Sequence, residues 1–203
     1  MKARALLEAE VLSIRQRLLV PGCAHRQRDG ALFELGINAG PRVGELCALN
    51  VGQVWQYGAV VKSLELTHTK GGRHRRVPLN RCVREVLEVF AYWKAERGET
   101  LHPLAPLFCN RYGTRITRQG VDLLLKGLYA RCHIAGKITT HSLRKTFATQ
   151  LSQRGAPIRV IQELLGHRNL NTTERYVTVT EQDKIQAVEA LVSHLYKTPL
   201  LSR

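Results

Sequence analysis

The chain has 203 residues, 44% of them hydrophobic and 23% charged, which suits one domain with a sizeable core. Lys and Arg number 31 against 16 Asp and Glu, a formal charge of +15 that draws polyanions and points first to nucleic acid, although charge alone leaves acidic protein partners open. The sequence argues against secretion, a membrane span and a disulfide frame: charges interrupt its N-terminal segment, no apolar run nears the roughly 20 residues that cross a bilayer, and its five cysteines are widely spaced without a C-x-x-C pair.

In chain order, residues 4–19 read as an amphipathic helix with Leu6, Leu7, Val11, Ile14 and Leu18 on one side. RDGALFELGINAG continues as a second helix, which Gly40 ends. Pro41 can then open the short helix PRVGELCAL, because proline is tolerated at the first helical position. Next the period changes from helical to alternating. QVWQ, VVKSLEL and RHRRVPL read as three short antiparallel strands, with Tyr57-Gly58 and Lys70-Gly71-Gly72 at the turns. VREVLEVFAYWKAERG is helical again, with Val83, Val86, Leu87, Phe90 and Trp93 on its buried face, and RQGVDLLLKGLYARC is another helix.

In the last third, Thr140 can cap a helix HSLRKTFATQLSQR that stops at Gly155, and Pro157 opens PIRVIQELL, which stops at Gly166. Asn171 and Glu174 resemble a capping box opening NTTERYVTV. A final helix over residues 181–196 carries Ile185, Val188, Leu191, Val192 and Leu195 at helical spacing, a stripe that must be buried against something. The fold class is α+β, mainly helical with a small three-stranded antiparallel sheet, in one domain over residues 1–203.

Several residues stand where they can do chemistry. Arg42 opens a helix, and its planar guanidinium suits an anion. His141 and Arg144 are three apart on one helix and share a face. His167 follows a glycine stop, Tyr176 lies nine residues further on, and Lys70 sits at a glycine-rich hairpin tip. Each has a plainer reading alone. A single arginine is more often a solvated charge, and histidines often cap or pack. A tyrosine is usually half-buried packing. Residues 141–166 could form a helix-turn-helix, and Lys70, Arg73, His74, Arg75 and Arg76 a patch of phosphate contacts.

Taken in order, G-P-R-V-G-E-L, T-K-G-G, H-S-L-R, L-G-H and Tyr176 resemble the tyrosine recombinase and phage integrase family, over about residues 8–180. Pro41 departs from the pattern, because the family usually has an aliphatic residue there. The resemblance implies the family's catalytic-domain fold and cleavage and rejoining of DNA through a 3′-phosphotyrosine. On this likeness Arg42, Lys70, His141, Arg144, His167 and Tyr176 are catalytic, with Glu45 supporting Arg42. Arg73, Arg75 and Arg76 are expected to hold the DNA backbone, and no metal or other cofactor is expected.

The family also implies double-stranded DNA with inverted-repeat half-sites, a dimer on each site and a tetramer in synapsis. It implies docking of the last helix on a neighbouring protomer. The N-terminal DNA-clamping domain of larger members is not found in the sequence, which reads as an excised domain or a short form like the fimbrial phase-variation recombinases. A bacterial, nucleoid-associated cytoplasmic location follows. Two alternatives stay open: relaxation of DNA by a type IB topoisomerase, and a non-catalytic DNA-binding regulator.

Overall fold

A computed structural model describes residues 3–20, 25–67 and 74–167, together with Asn169, Ile185 and Val188. Its central element is helix α2 (Arg26–Ala39), which buries Ala31, Leu32, Phe33, Leu35 and Ile37 around most of its circumference. A helix apolar on nearly every side must be enclosed. Here α1 (Glu8–Leu19), α4 (Arg81–Glu96) and α6 (Thr140–Gln153) pack around it. Burial of such side chains stabilises the domain by roughly 1.5–3 kcal/mol each. The two carboxylates that α2 carries into the core are paired: Asp29 with Arg28 at 2.7 Å, and Glu34 with Arg15 at 2.6 Å.

The first helix begins later than its apolar spacing suggests. Residues before Glu8 are not helical, because Arg4 N–H donates to the Lys137 carbonyl and Leu6 N–H to Thr146 Oγ1. These long-range bonds hold the extended lead against α6 and the loop before it. Leu6, Val11 and Ile14 are buried as expected, whereas Leu7 is exposed.

The three-stranded sheet is realised as two two-stranded ladders. Strands β1 (Trp55–Gln56) and β2 (Ala59–Val60) pair, as do β3 (Ser63–Thr67) and β4 (His74–Pro78), all antiparallel. The segment VVKSLEL bends after Val61, so its first half pairs backward and its second half forward. The Val61 N–H still donates to the Val54 carbonyl, and the Leu79 N–H to that of Lys62, so each ladder runs up to the bend.

Helix α3 (Val43–Ala48) follows α2, and α5 (Arg118–Arg131) packs against it. Arg42, rather than Pro41, occupies the cap position of α3. In α4, Asn80 caps by accepting from the Val83 N–H at 2.9 Å. Sequence spacing did not reveal that Lys94 is buried there, its Nζ 2.6 Å from Glu99 Oε2. The cap of α6 is Thr139, one residue ahead of the expected Thr140, and its hydroxyl accepts from the His141 N–H at 3.2 Å. Pro157 caps α7 (Ile158–Leu165), and Gly166 ends it at φ 64°.

Lys70, Arg73, Tyr176 and the segment 171–179 lie outside the described residues. Of the last helix, Ile185 and Val188 are described. Both are helical, and their exposures are 48% and 64%. Among the described residues, no helix is long and apolar enough to cross a membrane.

Candidate active site

The site forms where four chain segments meet: the turn from α2 into α3, strand β4, the first turns of α6, and the end of α7. Gly40 closes α2 at φ 59°, a left-handed conformation that glycine adopts without penalty. A Cβ there would also run into the Phe147 ring, so residue 40 meets a steric as well as a conformational demand. The buried Pro41 follows and leaves Arg42 at the cap of α3, so the departure from the family pattern costs no functional group.

Glu45, in the first turn of α3, reaches back to its own cap. Its Oε2 accepts from the Arg42 backbone N–H at 2.7 Å, and its Oε1 from Arg42 Nη1 at 3.1 Å. Arg75 supplies a second set of bonds to the same carboxylate, Nη1 to Oε1 at 2.8 Å and Nη2 to Oε2 at 2.6 Å. Glu45 is only 5% exposed. Burial by itself would raise its pKa. Hydrogen bonds from Arg75 and from the Arg42 backbone, with both positive charges, outweigh burial and pull it down to about 2. The carboxylate is therefore ionised at neutral pH and well below it.

Arg144 projects from α6 and is buried. Its Nη1 donates to the Gly40 carbonyl at 2.5 Å, and its Nη2 donates to the Leu165 carbonyl. One guanidinium thus ties together the loop that leads to Arg42 and the loop that leads to His167. The last carbonyls of α7 carry the negative end of the helix dipole, so two arginines there are well placed. Arg144 takes Leu165, and Arg75 Nε takes Leu164 at 3.0 Å.

His167 is buried just past Gly166, where its N–H donates to the Gln162 carbonyl at 3.1 Å and its own carbonyl accepts from Gln162 Nε2 at 3.1 Å. Burial lowers the imidazole pKa, and the positive charges of Arg144, Arg42 and Arg75 lower it further, to about 4. At neutral pH the ring is uncharged, and it offers one N–H in a strongly positive surrounding. His141 stands exposed at the start of the same helix as Arg144, one turn ahead.

The structure therefore gathers Arg42, Glu45, Arg144 and His167 from separate parts of the sequence, and adds Arg75. That last residue departs from expectation. Its side chain is 7% exposed and its donors point inward to Glu45 and Leu164, whereas Arg76, its neighbour on β4, is exposed. The alternation of the strand carries the signal: Arg75 shares a face with Val77, opposite the buried Leu66 and Leu64, so it faces the core. Among the described residues no cluster of His, Cys, Asp and Glu could hold a metal ion.

A mainly helical domain that brings two arginines and a neutral histidine to one spot is built to take an oxyanion such as a phosphate. Comparison with known proteins gives the chain its class. The model of the phage integrase family matches residues 6–183. The chain is 36% identical to the tyrosine recombinase XerC of Myxococcus xanthus over 169 residues, 80% of this chain and 54% of the relative. It is 37% identical to the tyrosine recombinase XerD of Oceanobacillus iheyensis over 158 residues, 76% of this chain and 51% of the relative.

Among solved structures, XerA recombinase superposes with a TM-score of 0.76 at 24% identity, covering 94% of this chain and 66% of that one. The catalytic domain of bacteriophage HP1 integrase superposes with a TM-score of 0.64 at 21% identity, covering 93% and 95%. These likenesses show the fold. The chain belongs to the phage integrase family of tyrosine recombinases. It spans about half the length of the curated relatives it matches.

Proposed function

We propose that this chain is the catalytic domain of a site-specific DNA recombinase that cleaves and rejoins strands through a 3′-phosphotyrosine. The observation that carries the proposal is the meeting of Arg42, Arg144 and His167 around one carboxylate-braced pocket of positive charge. In the reaction, these three groups hold the non-bridging oxygens of the scissile phosphate and offset the charge that grows there. Removing one such donor typically costs ~10²–10³ in rate. The Tyr176 oxygen attacks phosphorus, the bond to the 5′ oxygen breaks, and Lys70 gives that oxygen its proton. His141 assists the departure of the phenolic proton. Acid–base roles of this kind are worth ~10²–10⁴ each. Attack by another 5′-hydroxyl then restores the diester. Guanidinium and imidazole groups supply the positive charge, and the phosphotyrosine conserves the bond energy, so the scheme draws on no cofactor.

The partner is double-stranded DNA with inverted-repeat half-sites, bound by two copies per site and four in synapsis, in a bacterial cytoplasm beside the nucleoid. A related XerH recombinase bound to a palindromic difH substrate supports the symmetry of the site. Arg73 and the exposed Arg76 contact the backbone near the cleavage point. The exposed Ile185 and Val188 support a last helix that docks on a neighbouring copy. The test uses nicked duplexes carrying inverted repeats taken from beside the gene, with denaturing gels to reveal protein joined to DNA. Wild type should give the adduct, and Tyr176→Phe should bind without giving it. No adduct from wild type, or an undiminished one from the Phe variant, overturns the proposal.

A further inference from the structure

Arg75 is more than an ion-pair partner. Its guanidinium spans three segments: it lies on β4, grips both oxygens of Glu45 on α3, and donates from Nε to the Leu164 carbonyl on α7. Its stem passes directly under Gly166, where a Cβ would lie 2.9 Å from Arg75 Cδ. The same Glu45 oxygens bind Arg42, and His167 is the next residue after Gly166. We propose that Arg75 is a positioning residue, tying Glu45, and through it Arg42, to the end of α7 that presents His167, so that both groups meet one phosphate in register.

The chemistry of the pair explains why an arginine is needed. A planar fork can occupy two carboxylate oxygens and still donate from Nε, and lysine has no such geometry. Without Arg75, the buried Glu45 carboxylate would keep Arg42 as its one guanidinium partner, and a buried carboxylate draws its remaining cation closer. Arg42 Nε and Nη2, which make no bond among the described residues, would then turn toward Glu45 and away from DNA. A direct contact of Arg75 with DNA does not fit a side chain 7% exposed.

This inference rests on the proposed cleavage activity, and one set of measurements separates the two. Dissociation constants and rates of adduct formation at saturating DNA are measured for wild type, Arg75→Met, Arg75→Lys, Glu45→Gln and the double variant Arg75→Met/Glu45→Gln. Each is assayed on ordinary DNA and on DNA whose scissile phosphate is an uncharged methylphosphonate. Both Arg75 variants should bind with unchanged salt dependence but cleave roughly 10²-fold more slowly. Their defect should shrink on the uncharged substrate, as that of an Arg42→Ala control should. Glu45→Gln should restore the Arg75→Met rate by roughly tenfold, because a neutral amide at position 45 no longer captures Arg42. The double variant also removes both buried charges together, so it should melt closer to wild type than Arg75→Met does.

Weaker binding with a shallower salt slope and normal cleavage at saturation would make Arg75 a phosphate contact and overturn the proposal. Additive losses that persist on the uncharged substrate would make it a simple structural staple and overturn the proposal equally. A wild type that forms no adduct removes the cleavage reading itself, and this inference with it.

Discussion

Arg144 Nη1 donates to the carbonyl of Gly40 at 2.5 Å, which joins helix α6 to the turn that delivers Arg42. The same guanidinium also holds the Leu165 carbonyl, so it is spread over two loops that are far apart in sequence. Replacement by lysine keeps the charge and loses the fork. We expect Arg144→Lys to leave at least one buried carbonyl without its donor, at about 1–3 kcal/mol. Thermal melting should show the loss, and cleavage at saturating DNA should fall by ~10²–10³. A stable, fully active lysine variant would contradict the tethering.

Gly166 and Gly155 offer a matched pair. Both have positive φ, 64° and 75°, but a Cβ at Gly155 meets open space while one at Gly166 meets Arg75. Alanine at either position should cost about 1–2 kcal/mol for the left-handed backbone. Gly166→Ala should cost more and should also slow cleavage, because Arg75 must shift. Equal destabilisation of the two variants in urea melts would show that the contact with Arg75 is unimportant.

Acid should weaken the fold in two windows. The His167 pKa falls from an ordinary 6.5 to about 4 on folding, so between those values the unfolded chain binds the extra proton and stability declines as pH falls. Glu45 falls from 4.5 to about 2, so its contribution is intact above 4.5 and is lost as pH drops toward 2. Urea midpoints measured from pH 7 to pH 3 should decline from about pH 6.5 downward. His167→Gln should flatten the upper part of that decline. An identical pH profile in the variant would show that His167 does not carry it.

For Lys70, the proposed role of acid to the departing oxygen makes a chemical prediction. Lys70→Ala should slow cleavage by ~10²–10⁴ while binding little changes. Sulfur in place of the 5′ bridging oxygen should restore the rate, since a thiolate leaves without a proton. Arg42→Ala should gain nothing from sulfur. Failure of Lys70→Ala on both substrates would remove the acid role.

Truncation after Thr180 tests the last helix. Ile185 and Val188 are exposed, so removing residues 181–203 should leave binding to a single half-site. Cooperative binding to paired half-sites should disappear in gel shifts. Retained cooperativity in a folded truncated chain would rule out docking by this segment.

Much of the site is legible in the sequence because its parts are local signals. Arg42 and Glu45 lie three apart at a helix start, His141 and Arg144 three apart within one, and glycines mark Gly40 and Gly166 as stops. The helices α2, α4, α5, α6 and α7 follow from apolar spacing of the same local kind. Where the fold departs from these local signals, the cause is tertiary. Residues before Glu8 stay extended because Lys137 and Thr146 offer hydrogen bonds that no local pattern encodes. VVKSLEL bends because each half pairs with a different partner.

What the sequence by itself determined is the inventory: the family, the order of helices, and which charged residues stand at their ends. What tertiary structure decided is the sign and direction of each group's work. Arg75 and Arg76 are adjacent basic residues, alike in composition. Strand pleating turns Arg75 inward, where a buried carboxylate and a helix end claim its donors, and leaves Arg76 in solvent. His167 stays neutral well below pH 6.5 because folding removes water from it and brings three arginines close. Periodicity is a property of neighbours along the chain, whereas electrostatic environment depends on neighbours in space, which folding alone supplies.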